Sequence, residues 1–131
     1  MHEFMVSTGS RSELVDITAQ VSRAVTESGV ADGICHVFIP HTTAAVTINE
    51  GADPAVRLDM IAGLDKAIPW NDGYSHVEGN SAAHIKTSLV GSSETIIVDG
   101  GRLVLGTWQT IYFCEFDGPR TRKVLVKVTA D

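Results

Sequence analysis

Between His76 and Leu89 the chain sets two histidines, a carboxylate and an amide close together, as His76, Glu78, Asn80 and His84 in HVEGNSAAHIKTSL. Two imidazoles eight residues apart with a carboxylate between them allow a metal site of nitrogen and oxygen donors, although no named ligand spacing is matched. The plainer reading of His84 is a half-buried helix histidine with its hydrogen bonds satisfied. If a helix begins after Asn80, His84 sits on its first full turn and His76 on the segment leading in, so the two rings would converge across Gly79.

Other chemistry-bearing groups are scattered. His41 leaves an apolar run in the polar turn Pro40-His41-Thr42-Thr43, where a loop on a rigid base carries function, or where a surface histidine simply faces water. Glu50, Asp53 and Asp59 are carboxylates near a second helix; capping alone would explain Asp53, while Asp59 lies at the border of that helix's apolar side. Gln109 shares a face with Leu105 and Phe113 in an apolar run, where a buried amide needs partners, as a core hydrogen-bonding device or a substrate contact. Arg120, Arg122 and Lys123 form the densest positive cluster. Such arginines clamp phosphates, and on a wet strand they also serve as edge protection.

The elements that must position these groups follow from periodicity. His2–Ser7 alternates as a strand, and Asp16 caps a helix whose Ile17, Val21, Ala24 and Val25 share one side before Gly29 ends it. Residues Gly33–Ile39 and Ala44–Asn49 read as buried strands. Asp53-Pro54 opens a helix with Val56, Met60, Ile61, Leu64 and Ile68 on its apolar side, and Pro69–Tyr74 is a loop. Asn80 is placed as an N-cap of Ser81–Leu89, with Ala82, Ile85 and Leu89 as the expected buried side and Gly91 closing it. Glu94–Val98 turns through Asp99-Gly100-Gly101 into Arg102–Phe116, read as one long strand bent at Gly106. Val124, Val126 and Val128 then alternate with Lys123 and Lys127 in a last strand.

Composition bounds the rest. The 131 residues suit a single domain with its own core. A net charge of −6 and the lack of a basic stripe argue against a nucleic-acid binder. No apolar run is long enough to span a bilayer, and Met1-His2-Glu3 lacks the features of a signal peptide, so a cytoplasmic protein is expected, with no membrane partner. Cys35 and Cys114 fall in interior strands and read as reduced core thiols, with a bond between them left open.

Three separated segments, PHTTAAVTINE from Pro40, HVEGNSAAHIKTSLVGSS from His76 and GTWQTIYFCEFDGPRTRKVLV from Gly106, make the chain resemble the YjbQ family. The resemblance implies an α+β fold with an antiparallel β-sandwich core and about three helices, assembled as a homotrimer. It also implies an activity like that of secondary thiamine-phosphate synthases, which join a pyrimidine pyrophosphate to a thiazole phosphate. Carried over residue by residue, it makes His41, His76 and His84 the expected ligands of a divalent metal, zinc foremost. Glu50, Asp59 and Gln109 join His41 as catalytic candidates. Thr42, Thr43, Asn80, Ser81, Arg120 and Arg122 become candidates for holding a small phosphorylated substrate. A metal-dependent hydrolase of phosphate compounds needs the same groups, and a non-catalytic trimeric module that binds a metal or ligand is the third reading.

Overall fold

The computed structural model describes residues 1–131. Eight strands and three helices alternate as β1 (His2–Ser7), β2 (Glu13–Asp16), α1 (Thr18–Ser28), β3 (Gly33–Phe38), β4 (Ala44–Glu50), α2 (Pro54–Ala67), α3 (Ser81–Val90), β5 (Ser93–Asp99), β6 (Arg102–Leu103), β7 (Gln109–Glu115) and β8 (Thr121–Ala130). They form two antiparallel sheets, one ordered β1-β8-β3-β5-β6 and the other β2-β7-β4. This is the α+β architecture expected, with a sandwich-like core.

Period-two burial builds that core. Cys35 and Val37 of β3, Val124 and Val126 of β8, and Ile96 and Val98 of β5 point inward from the larger sheet. They meet Ala44 and Val46 of β4 and Ile111 and Phe113 of β7. Val21, Ala24 and Val25 of α1 complete the same cluster, and Asp16 accepts the Thr18 N–H at 2.9 Å at the helix start. The smaller sheet is buried on its other face too: Leu14, Ala45, Tyr112 and Cys114 pack with Ala83 of α3 and half-buried Met60, Ile61 and Leu64 of α2. A strand covered on both sides reads as continuously apolar, which is why IYFC carries no alternation.

Two expectations need correcting, and one strand was not foreseen. Residues Arg102–Phe116 are not one strand: β6 pairs with β5 in the larger sheet, β7 belongs to the smaller, and a turn from Gly106 to Gln109 separates them. The buried side of α3 is Ala82, Ala83, Lys86 and Thr87, whereas Ile85 and Leu89 are 41% and 67% exposed. Two alanines let the helix approach β4 closely, and buried Lys86 sets its ammonium on Asp65 of α2, 5.9 Å from the centre of the Phe116 ring. Finally, β2 escaped notice because four residues give periodicity too little to work on.

Gly33 sits between β8 and β5, and a Cβ there would lie 2.0 Å from the Thr129 carbonyl oxygen. Gly63, inside α2, has open space around the same position. Gly33→Ala is therefore expected to cost about 2–3 kcal/mol of unfolding free energy, and Gly63→Ala to add about 0.5–1 kcal/mol, both read from urea titrations.

Candidate functional site

The site grows from one end of the smaller sheet. Glu115, the last residue of β7, is 0% exposed, and Arg122, the second residue of β8, is 3% exposed. The Arg122 guanidinium donates to both Glu115 oxygens through Nε, at 2.9 and 3.2 Å, and again through Nη2. Nη2 also donates to Thr43 Oγ1 at 2.8 Å. Glu115 accepts further from the Thr8 hydroxyl at 2.8 Å and the Asp117 N–H at 3.0 Å. Burial alone would raise the Glu115 pKa, but these hydrogen bonds and the Arg122 charge outweigh it and hold the carboxyl below its ordinary value. Gly118 closes the connection, since any side chain there would strike the Ser10 carbonyl at 2.4 Å and Thr8 Oγ1 at 2.8 Å.

Against this buried pair lies a cavity of about 520 Å³ whose polar wall is His41, Thr42, Thr43, Ser92, Arg120 and Arg122. Arg120 is half exposed and donates to Asp117 Oδ2 at 3.2 Å. His41 accepts the Lys123 N–H on Nε2 at 2.9 Å, on the side of β8 where β3 has stopped at Phe38 opposite Leu125. Its pKa is lowered, first by burial and then by the Arg122 charge, against an opposing pull from Glu115.

A second cavity, about 410 Å³, shares Thr42, Thr43 and Arg120 with the first and adds Trp70, Glu78, Asn80, His84 and Asp117. His76 and His84 meet edge to face with ring centres 5.5 Å apart, and His76 Nε2 lies 3.8 Å from Glu78 Oε2. Asn80 precedes α3 as anticipated, but its side chain does not cap the helix; Nδ2 donates to Asp117 at 2.9 Å, and Oδ1 is buried without a donor. The Arg11 guanidinium stacks over Trp70 at 4.2 Å, holding the α2–α3 loop to the β1–β2 loop.

The expected residues therefore divide. Thr42, Thr43, Asn80, Arg120 and Arg122 gather along two joined cavities, with Ser81 half-buried at the start of α3. Glu50 and Gln109 pair at the opposite end of the β4–β7 ladder from Ala44 and Glu115, roughly 20 Å away at ~3.3 Å per residue. Gln109 is exposed, not buried with Leu105 and Phe113; its Oε1 accepts the Gly106 N–H at 2.7 Å and closes the turn. Asp59 is exposed on α2, and Asp53 caps that helix through the Ala55 N–H at 2.9 Å. His76 and His84 stand together, but His41 faces the other cavity with Nε2 already engaged. No three His, Cys, Asp or Glu side chains of the chain are grouped to hold an ion, so the three-histidine cage does not fit this single chain. Cys35 and Cys114 are free and buried, and burial pushes their thiols up to about 11 and about 12 respectively.

Sequence reading passed over Glu115 and Asp117. The signal was present, since Glu115 is a lone carboxylate inside the apolar IYFCEF run. Glu115→Gln leaves the Arg122 charge buried and half-paired, and a loss of about 3–5 kcal/mol in urea unfolding at neutral pH is expected. The sign with pH follows from the depressed folded pKa: the Glu115 contribution is complete above the ordinary value of 4.5 and is lost as pH falls through the lower folded value. The variant should therefore show a shallower decline of stability on acidification.

The comparisons with known proteins agree on one family. Residues 2–131 match the family model described as UPF0047 protein YjbQ-like. A UPF0047 protein of Methanocaldococcus jannaschii is 53% identical over 131 residues, covering 100% of this chain and 95% of its own. UPF0047 protein YugU of Bacillus subtilis is 51% identical, with 94% of each chain covered. The crystal structure of an uncharacterised YjbQ/UPF0047 protein from Clostridium acetobutylicum superposes with a TM-score of 0.97 at 56% identity, covering 98% of this chain and 100% of the other. Sequence and fold together place this chain in the YjbQ/UPF0047 family.

Proposed function

We propose that the chain is an enzyme acting on a small phosphorylated substrate, with displacement of pyrophosphate in the manner of a thiamine-phosphate synthase as the favoured reaction. The observation that supports this most is the wall of the larger cavity, where Arg120, Arg122, Thr42, Ser92 and His41 surround a space suited to an oxyanion. Guanidinium groups match phosphoryl oxygens in charge and in fork geometry. Stabilising a departing pyrophosphate needs such donors held in place before the reaction. Glu50, Asp59 and Gln109 lie outside this cavity within one chain, so no role in the step is given to them.

For the divalent ion expected, zinc foremost, one chain offers only the His76–His84 pair with Glu78 near His76, which do not group as a three-donor site, so no step is assigned to the ion. A homotrimer would cover apolar side chains that one chain leaves outside, namely Val77, Ile85 and Leu89 around α3. No helix is long and apolar enough to cross a membrane. A cytoplasmic location is part of the same proposal.

Calorimetric titration with inorganic pyrophosphate tests the anion wall: binding to wild type is expected, weakened about tenfold or more in Arg120→Met through loss of charge-assisted hydrogen bonds. Absence of binding to wild type sinks the reading. Turnover then separates the alternatives. Coupled product from the pyrimidine pyrophosphate and thiazole phosphate supports the transferase, free phosphate from simple phosphomonoesters supports a hydrolase, and binding without either product supports a non-catalytic module.

A further inference from the structure

We infer that His41 is a tautomer-locked hydrogen-bond donor, presenting Nδ1–H to a phosphoryl or pyrophosphoryl oxygen in the larger cavity, and is not a metal ligand or a general base. This rests on the anion reading of that cavity and assigns one of its contacts.

Lys123 stands opposite Met5 of β1 on one side of β8, while on the other side β3 has ended at Phe38, and the Lys123 N–H is directed to the His41 ring. An unbonded, half-buried N–H costs about 1–3 kcal/mol, and the 2.9 Å contact to Nε2 removes that cost only while Nε2 keeps its lone pair. A neutral imidazole with an unprotonated Nε2 must carry its proton on Nδ1. Nδ1 has no other partner in the chain and is not buried, and the ring lines the cavity beside Arg120 and Arg122. The same lone pair is what coordination or proton abstraction through Nε2 would need. The remaining nitrogen offers a hydrogen, which is what an oxyanion accepts.

The surroundings bear the same way. Arg122 and Arg120 on β8 and its approach disfavour a second proton on the ring, and Glu115 at the end of β7, the carboxylate that opposes them, is saturated by Arg122, Thr8 and the Asp117 N–H. His41 is held neutral while its neighbours carry charge.

The test is ring nitrogen NMR on the full chain, combined with pyrophosphate titration of two variants. His41 in wild type should show a protonated Nδ1 and an unprotonated Nε2 at neutral pH, and the Nδ1 resonance should move when inorganic pyrophosphate is added. His41→Asn, whose amide N–H falls near the place of Nδ1–H, should bind pyrophosphate within about threefold of wild type. His41→Gln, whose longer side chain can set its carbonyl at the place of Nε2 as an acceptor for Lys123 but carries its N–H groups away from the place of Nδ1–H, should bind about tenfold more weakly. A protonated Nε2, or an imidazolium, overturns the inference. So does a correct tautomer whose signal ignores pyrophosphate while Arg120→Met still abolishes binding, a result that leaves the anion cavity standing. If wild type binds no pyrophosphate, the anion reading falls and takes this contact with it.

Discussion

A buried carboxylate facing a buried guanidinium governs the end of this molecule where the two joined cavities lie. Glu115 and Arg122 are both withdrawn from water, and the effective cost of moving each charge inside is several kcal/mol. That cost is offset only if every lone pair and donor finds a partner. Here Glu115 receives Arg122, Thr8 and the Asp117 N–H, and Arg122 also reaches Thr43. The satisfied set draws on four chain segments: the ends of β1 and β7 and the starts of β4 and β8. It fixes them to one another more narrowly than apolar packing would, because hydrogen bonds specify direction as well as distance. The cavity wall inherits that fixity.

The architecture explains why such a polar cluster is tolerated. The smaller sheet is buried on both faces, against the larger sheet on one side and α2 and α3 on the other, so apolar packing is provided along its length and the strand ends are left to carry function. α2 is the lightly held part. None of its residues is fully buried, and its half-buried Met60, Ile61 and Leu64 are joined by the Lys86–Asp65 ion pair in fastening it to α3. The loop from α2 to α3 brings Glu78 and Trp70 to the second cavity from this side and His76 against the His84 ring, and Arg11 stacked on Trp70 ties the loop to the β1–β2 connection.

Much of the frame was legible in the sequence, and the failures have physical causes. The buried side of α1, its Gly29 terminus, the Asp53-Pro54 entry to α2, and the inward valines of β8 all follow from short-range rules, and the structure keeps them. The side assigned to α3 was right at Ala82 and wrong at Ile85 and Leu89, because hydrophobicity was weighed and size was not: small Ala83 is buried beside Ala82 while Ile85 and Leu89 stay outside. Arg122 was grouped with wet residues although it shares parity with Val124 and Val126, and alternation alone would have turned it inward. Gln109 looked buried because Arg102–Phe116 looked like one strand, and local pattern does not reveal that a chain changes sheets. The meeting of His76 with His84 followed from the Gly79 bend, but the position of His41 depended on where β3 stops relative to β8.

Charge accounting in the joined cavities separates the two arginines. Arg122 is neutralised by Glu115 and Arg120 by Asp117, and Glu78 adds a further carboxylate in the second cavity, so the charged side chains around the two spaces carry no excess of positive charge. An entering phosphoryl group is therefore not drawn by an excess of positive charge, and its affinity depends on which pairs yield. The Arg122–Glu115 pair is too enclosed to separate without exposing a buried carboxylate. Arg120, half exposed and bonded to Asp117 at 3.2 Å, turns toward an anion at little cost in a pairing screened by solvent. Asp117 would keep its hydrogen bond from Asn80, at the head of α3 and in the second cavity with His84. An anion taken up in the first cavity would thus change the pairing of a carboxylate that also lines the second, because Asp117 is shared between Arg120 and Asn80.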